Sequence, residues 1–400
     1  MAGQITGMGT TFNLPNYTNE LFALTPEDTP LLSAIGGLTG GGMTTATEFE
    51  WESYDLRDPG QRTRVEGATA PTAEARVRGN VTNVVQIHQE QVSVSYTKQA
   101  AIGQVASPQS APYNHGGGSN PITNELDWQI EQMLKQMALD VNWSFINGSY
   151  VKPTTNATAR QTKGLLAAIT TNRIAKGTSV TGATSATDTI TSTAHGLVDG
   201  DKVVFTATGA ASGIVAGRTY YVDQITTDTF KVSTSAGGSP ITLGTATGLA
   251  FTKPWATALT SGHVNDLLQL AYDNGGISEQ HTATLLVNSA QKRAVTTAYA
   301  SAYGQYHETS RTVGGVNVTT VVTDFGTLNV MMDRHVPQDV IIAASLEQLM
   351  PVFLNVPGKG VFFEEALAKT GASDQSQLYG EVGLKFGNER AHAVMTGLKV

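Results

Sequence analysis

The feature that most constrains the fold of this chain is one apolar stripe between residues 120 and 148. Large apolar residues recur there at steps of three and four: Ile122, Leu126, Ile130, Met133, Leu134, Met137, Val141 and Phe145. That spacing predicts an amphipathic α-helix. Asn120 is a candidate N-cap, Pro121 suits the first helical position, and Gly148 is a candidate C-cap. The helix would be about 40 Å long, with its methionines in the core.

A long two-stranded excursion precedes this helix. Residues 48–52 alternate polar and apolar side chains, as a half-exposed strand does, and residues 92–96 repeat the alternation on the return. The segment between them, 55–78, contains Pro and Gly but few large apolar residues. Because an isolated hairpin is only marginally stable in water, we expect something else to cover it.

Charge is concentrated in the same excursion. Residues 48–78 hold seven acids and five arginines, whereas the first lysine of the chain is Lys98. Arginine presents a rigid bidentate fork that suits carboxylates at interfaces. A solvated loop is one interpretation, and an arm lying on a neighbouring subunit is the one that the absence of lysine favours. The candidate inter-subunit contacts are Arg57, Arg62, Arg64, Glu66, Arg76 and Arg78.

The rest of the chain predicts a mixed α+β host with a β-rich insert. Residues 177–255 are rich in Thr, Ser, Gly and Ala, and they predict a small all-β domain, either an immunoglobulin-like sandwich or a barrel. Its strand candidates are 202–206, 219–222 and 229–232. After the insert we predict helices at 263–272 and 289–303, strands at 284–287, 316–322, 328–333 and 340–344, and a closing hairpin from 379–387 and 391–395.

Composition favours an assembly. Charged residues make up 14% of the chain, against about 25% in an average soluble protein, and the cores of interfaces are depleted of charge. The net charge of −8 argues against a nucleic-acid reader, which needs a basic patch. A container for DNA has no such need.

Targeting signals and cysteine chemistry are not predicted. The first eleven residues lack the features of a signal peptide, and no apolar run approaches the ~18 residues of a membrane span. The chain has no cysteine, which excludes disulfides and thiolate metal sites. We therefore expect synthesis in the cytosol and no membrane partner.

No constellation of residues predicts catalysis, a cofactor or a metal. The run from His115 to Gly118 resembles the oxyanion loop of lipases, but no Gly-x-Ser-x-Gly elbow supplies a nucleophile. Walker A, dinucleotide-binding and His-Glu-x-x-His patterns are absent. His195, Asp199 and Asp201 lie around a turn, where such residues more often shape the backbone than bind a metal. The chain therefore reads as a structural protein and not as an enzyme.

One local sequence carries a family resemblance. Asn19-Glu20-Leu21 precedes the segment from Leu24 to Gly36, which contains Thr-Pro-x-Asp-Thr-Pro. These residues resemble the opening of major capsid proteins of tailed double-stranded DNA bacteriophages of the SU-ten type, which share the Hong Kong 97-like shell fold. The order of predicted elements extends the resemblance over about residues 15–176 and 256–400.

The resemblance implies a domain order and a function. The implied parts are an N-terminal arm (1–43), an extended-loop hairpin (44–97), a spine helix with peripheral domain (98–176), the inserted β domain (177–255), and an axial domain with the remainder of the peripheral domain (256–400). The implied assembly is an icosahedral shell of pentamers and hexamers around phage DNA, bound without sequence specificity. It would form in the host cytoplasm and belong to the virion, with a portal protein and separate scaffolding and decoration proteins as candidate partners.

Alternatives stay open at this point. An encapsulin-like nanocompartment shares the implied fold and would enclose an enzyme. A β-rich adhesin or glycan-binding protein rests on the insert alone. In some relatives an isopeptide bond from a lysine in the extended loop joins neighbouring subunits covalently. Residues 1–97 of this chain contain no lysine, so we expect no cross-link through that loop.

Overall fold

The computed structural model describes residues 27–54, 56–57, 59–100, 125–277, 283–303, 309–313, 316–368 and 371–400. Its helices are α1 (Pro30–Ile35), α2 (Tyr96–Ala100), α3 (Glu125–Asn147), α4 (Leu165–Ala168), α5 (Ser261–Asp273) and α6 (Ser289–Tyr303), with 3-10 turns at Leu346–Gln348 and Glu389–Ala391. Its strands are β1 (Gly42–Thr44), β2 (Glu48–Tyr54), β3 (Arg78–Val84), β4 (Gln86–Ser95), β5 (Arg173–Ala175), β6 (Thr178–Ala186), β7 (Thr189–Thr191), β8 (Lys202–Ala207), β9 (Thr219–Asp223), β10 (Thr229–Ser233), β11 (Ala246–Lys253), β12 (Ala283–Val287), β13 (Thr309–Val313), β14 (Val316–Thr323), β15 (Gly326–Met332), β16 (Ile341–Ser345), β17 (Met350–Leu354), β18 (Phe362–Ala366), β19 (Ser373–Lys385) and β20 (Ala393–Thr396).

The chain divides into two compact units. Of the described residues, the first unit comprises 27–28, 88–100, 125–139, 362–368 and 371–380, and the second comprises the remainder. In the first unit, β18 pairs antiparallel with the start of β19, from Phe362 opposite Gly380 to Ala366 opposite Ser376. The side chain of Gln89 in β4 donates to that of Gln377 in β19 at 2.9 Å.

The long amphipathic helix is present as α3. Residues 101–124 lie outside the described residues, so the predicted cap at Asn120 and the run at His115 are not described. Of the described stripe, only Leu134 is exposed, and the helix ends at Asn147 as predicted. Gly148 does not take the left-handed conformation of a C-cap. A side chain there would instead collide with the carbonyl oxygens of Ser144 and Thr162, so close backbone packing requires the glycine.

The excursion before the helix is a hairpin, and its return strand lies earlier in the sequence than predicted. β2 pairs antiparallel with β3. The predicted return at residues 92–96 is wrong, because residues 92–95 end β4, which pairs with β19. Alternation of polar and apolar residues identifies a half-exposed strand, but it does not specify which strand lies beside it.

A seven-stranded sheet forms the main layer of the second unit, in the order β13-β14-β15-β12-β16-β20-β5. Helices α5 and α6 pack on it, with Leu267, Val295 and Ile341 among the fully buried core residues. The helices and strands predicted between 263 and 344 are confirmed to within a few residues. The predicted closing hairpin is wrong, since β19 pairs with β17 and β20 pairs with β16 and β5.

A closed barrel lies between α4 and α5 in the chain, in the order β10-β7-β6-β11-β8-β9. Its interior is apolar and includes Phe205, Phe230 and Phe251, all fully buried. The three strands predicted here are confirmed as β8, β9 and β10. Together with β6, β7 and β11 they form one closed barrel and not two facing sheets. The barrel belongs to the second unit and is not divided from it, so an inserted domain bounded at 177–255 stays a prediction.

Both linkers of the barrel are bonded to the same short stretch near residue 397. The Lys176 N–H donates to the Thr396 carbonyl oxygen at 2.9 Å, and the Trp255 N–H donates to that of Gly397 at 2.7 Å. The buried Asp339 carboxylate accepts from the Gly397 N–H, and burial raises the pKa of this carboxyl to about 6. Asp339 therefore lies at the joint that holds the barrel.

Two further contacts fix the barrel to the remainder of the second unit. The Gln338 side-chain oxygen accepts from the backbone N–H and the hydroxyl of Thr219, while the Gln338 N–H donates to the Gly217 carbonyl oxygen at 3.0 Å. On β8, the Lys202 ammonium donates to the Val400 carbonyl oxygen at 2.7 Å. The barrel is therefore held at points away from its linkers as well as through them.

Candidate assembly surface

The root of the β2–β3 hairpin is anchored in the second unit by aromatic residues. Phe49 is buried and packs with Val85 and Val352. The Trp51 indole N–H donates to the Gly387 carbonyl oxygen at 2.7 Å, and its ring meets that of Phe386 edge-on, with centroids 4.9 Å apart. Because these side chains alternate with polar ones along β2, one face of the strand is committed to the core.

The opposite face of β2 carries three glutamates, which we call the acid ladder. Its members are Glu48, Glu50 and Glu52. They share a face because successive side chains of a strand point to opposite sides. The same face ends at Tyr54, whose side chain is 68% exposed. An acidic strip with an aromatic end therefore lies on the outer side of the hairpin root.

Two carboxylates of the ladder have a cationic partner. The Lys152 ammonium is 2.6 Å from the carboxylate of Glu48, and the Arg78 guanidinium is 2.7 Å from that of Glu52. The middle carboxylate accepts from the side-chain amide of Asn80 at 3.2 Å. Within the described part of the chain, no cation lies within ion-pair distance of that middle carboxylate. Lys152, which pairs with Glu48, also acts on Glu50 electrostatically from a greater distance, so among the described residues the middle carboxylate is the one member of the ladder without an ion pair of its own.

The hairpin tip, residues 56–77, buries nothing in the single chain. Each of its described residues is exposed, as are residues 78–80. Its large apolar side chains are among the most open of the molecule: Leu56 is 68%, Val65 80% and Val77 82% exposed. Ordering a backbone costs roughly 1–2 kcal/mol per residue, and here no burial offsets that cost. Such a segment is typical of a surface completed by a partner.

Three arginines of the tip converge on one carboxylate, and we call this group the arginine cluster. The Glu74 carboxylate lies 3.6 Å from the guanidinium of Arg57, 3.7 Å from that of Arg62 and 3.1 Å from that of Arg76. Each guanidinium offers five N–H donors, far more than one carboxylate accepts. Exposed ion pairs contribute about 0–1 kcal/mol each, so the cluster adds little to the stability of the single chain. Its spare donors are open to a further anion.

The candidate contact residues that the sequence predicted fall into separate groups in the structure. Arg57, Arg62 and Arg76 meet in the arginine cluster, whereas Arg78 pairs with the ladder. Arg64 and Glu66 are exposed, with no ion pair to another described residue. Whether any of them touches another subunit stays a prediction. Asp55 and Asp58 lie outside the described residues.

Sequence reasoning counted Glu74 and the acids of the ladder among the charges of residues 48–78, but it did not place them among the candidate contacts. The ladder had a visible signal, since its acids recur at every second position of a predicted strand. Glu74 had none. It lies 17 residues after Arg57 (74 − 57), and only the path of the tip brings the two side chains together.

Elsewhere, the residues that suggested a metal site shape a turn. The His195 ring nitrogen Nδ1 accepts the Leu197 N–H at 3.1 Å, and the Asp201 carboxylate accepts the Val198 N–H at 2.9 Å. Asp201 also pairs with Lys253 at 2.7 Å. Among the described residues, no group of three acidic or histidine side chains is placed to hold a metal ion. The helices of the described ranges do not include a candidate membrane span.

The fold has counterparts among solved structures. A subunit of the cyanophage A-1(L) capsid is similar with a TM-score of 0.56 and 13% identity, over 98% of this chain and 99% of that chain. The encapsulin of the holo-SrpI complex from Synechococcus elongatus PCC 7942 has a TM-score of 0.50 and 10% identity, over 97% and 92%. At such identities these likenesses speak for the fold alone. The class is that of mixed α+β proteins with a Hong Kong 97-like fold.

The family follows from the sequence itself. Residues 4–399 match the family model described as SU10 major capsid protein, so the chain belongs to that family and is a major capsid protein. No curated protein sequence matches it. The predicted family, the α+β Hong Kong 97-like fold and the capsid role are thereby confirmed. The family is one of structural capsid proteins, and homologous chains assemble into multimeric shells.

Proposed function

We propose that this capsid protein forms pentamers and hexamers of an icosahedral shell that encloses phage genomic double-stranded DNA. The observation that carries the proposal is the hairpin tip, whose described residues are all exposed although they include large apolar side chains. Repeated heterologous contacts around a ring generate closed assemblies from one kind of chain. A tip that lies on the next subunit supplies such a contact.

The chemistry of the chain supports a passive container. Its net charge of −8 gives no general attraction for phosphate, so the DNA is enclosed without being read. We propose no catalytic role, and the shell needs no cofactor. A portal protein, and scaffolding and decoration proteins encoded separately, are the further proposed partners. Assembly takes place in the host cytoplasm before the shell becomes part of the virion.

We further propose that no isopeptide bond from the hairpin joins the subunits. The bond would need a lysine amine there, and residues 1–97 contain none. Particles boiled in SDS are expected to give one band near the chain mass of 42.1 kDa. A ladder of multimers would show that another pair of side chains provides the link.

A nanocompartment around an enzyme is the second candidate, and the likeness to an encapsulin favours it. The two candidates differ in cargo, because one shell encloses nucleic acid and the other a folded protein. The adhesin alternative rested on the barrel region alone and does not fit a capsid family match over residues 4–399.

The test is negative-stain electron microscopy of the full chain, purified alone and after co-expression with phage scaffold and portal proteins. Closed shells, or free pentamers and hexamers, are expected. A monodisperse monomer under both conditions would refute the proposal. Nuclease-protected DNA in particles recovered from infected cells supports the phage shell, whereas a co-purifying enzyme in place of DNA supports the nanocompartment.

A further inference from the structure

The hairpin has opposite charges at its two ends. Its root carries the acid ladder, where the middle carboxylate of Glu50 meets an amide and no described cation. Its tip carries the arginine cluster, where three guanidiniums share the single carboxylate of Glu74. Within one chain the cluster and the ladder do not pair, since the guanidiniums of the cluster lie on Glu74. The tip therefore has unused guanidinium donors, and the root has a carboxylate without an ion pair among the described residues.

Resting on the proposed shell function, we propose that the arginine cluster of one copy binds the acid ladder of the next copy. The contact is heterologous: the tip of each subunit meets the root of its neighbour, and the pattern repeats around a ring. The partner is thus a second copy of this chain, and the chemistry that recognises it is guanidinium with carboxylate. Bidentate pairs of this kind are directional and fix register as well as affinity.

The apolar residues beside the charges agree with the same contact. Leu56, Val65 and Val77 of the tip are exposed in the single chain, and the ladder ends at the exposed ring of Tyr54. Docking the tip on the ladder face of the next copy covers both sets of apolar side chains. Their burial supplies the hydrophobic gain that exposed ion pairs alone do not give.

A carboxylate fits the cluster better than a phosphate of DNA does. Glu74 stands among the three guanidiniums and lowers the positive potential that a chain of phosphates would seek. The two remaining described charges of the tip, Arg64 and Glu66, cancel. A single carboxylate, such as that of Glu50 in the ladder, needs only a few N–H donors, and the guanidiniums of the cluster have donors to spare.

The experiment compares shell yield among variants of the full chain by size-exclusion chromatography and electron microscopy. R57Q/R62Q removes two of the three guanidiniums and is expected to lower shell yield about tenfold near physiological salt, as loss of about 1.4 kcal/mol per contact predicts. K231Q/K253Q is the matched control, because it removes two cations from half-buried ion pairs of the barrel with Asp188 and Asp201, away from the hairpin. This control is expected to assemble like the wild type.

Charge reversal tests the pairing itself. R57E/R62E/E74R/R76E keeps the three-to-one arrangement of the cluster with the opposite sign, and it is expected to form no shells. Adding E50R to the same chain turns the middle rung of the ladder positive and is expected to restore shells. Thermal denaturation of the unassembled chains checks that each variant is folded. If the reversed tip assembles normally, or if E50R gives no rescue, the proposed contact is refuted.

Two other outcomes separate this proposal from its alternatives. If even the wild-type chain forms no shells or capsomers with its scaffold, then the proposed shell function fails and not merely the contact. If R57Q/R62Q shells form normally but no longer retain DNA, then the cluster serves nucleic acid and the contact with a second copy is overturned.

Discussion

The barrel and the hairpin are two β structures of one chain with opposite relations to water. The barrel closes its sheet, fills its interior with buried aromatic rings and is bonded through both linkers to the rest of the second unit, to which it belongs. The hairpin tip closes nothing and buries none of its described residues. The barrel strands bring their apolar residues into one closed interior, whereas the tip has few large apolar residues and leaves them exposed. Their difference teaches that a β segment is complete in a single chain only where its sheet closes around its own apolar residues.

The largest difference between the two regions is expected in the effect of a core substitution in the barrel on the free energy of unfolding. Phe251 is fully buried and meets the ring of Phe230 at 5.3 Å between centroids. We expect Phe251→Ala to lower the free energy of unfolding of the unassembled chain by about 4 kcal/mol, through lost burial and a cavity. Denaturant titration measures this, with Val65→Ala in the exposed tip as the control. A loss below 1 kcal/mol would mean that the barrel does not contribute to the cooperative unfolding unit.

The pH dependence of stability tests the role of Asp339, which lies beside the two linkers of the barrel. Burial raises the pKa of Asp339 from 3.8 to about 6, so the folded state binds this proton more tightly than the unfolded state does. Stability from this group is therefore fully present below pH 3.8 and is lost as the pH rises through about 6. Between pH 4 and pH 7 the wild type should lose about 2 kcal/mol relative to Asp339→Asn. Parallel stability curves for the two proteins would contradict the assignment.

The hairpin root should show a smaller effect than the barrel core. Trp51→Phe keeps an aromatic ring against Phe386 but removes the indole N–H that binds the Gly387 carbonyl oxygen. We expect a loss of about 1 kcal/mol, since a half-buried carbonyl acceptor loses its donor. Chemical denaturation measures the loss. Tyr54→Phe, at an exposed ring on the same strand, is the control and should be neutral.

The smallest effect on stability is expected from removing the tip altogether. Tyr54 and Arg78 are directly paired, so replacing residues 55–77 by Asn-Gly would close the hairpin with a two-residue turn. The unassembled chain should keep its unfolding free energy to within about 0.5 kcal/mol, because the described residues removed bury no surface. Shell formation should be abolished in the same protein. Intact shells from this variant would show that the tip is dispensable for assembly.

Local periodicity was a reliable guide wherever a segment carried its own apolar pattern. The stripe of α3 predicted the helix and its end, and the apolar cores of β8, β9 and β10 predicted three barrel strands. β6 and β11 were missed, because Thr, Ser, Ala and Gly dominate them and leave weak alternation. Partners of strands were predicted least well, as the wrong returns at 92–96 and 391–395 show.

By itself, the sequence determined the family, the α+β class and the concentration of arginines and acids between residues 48 and 78, since these depend on residue type and spacing alone. Only the tertiary structure decided which charges meet. It placed Glu74 among three arginines, paired Arg78 with Glu52, and left the carboxylate of Glu50 facing the amide of Asn80. The physical reason is that ion pairs depend on the path of the backbone between residues distant in sequence, and that path is set by strand register and loop closure, which no local pattern records.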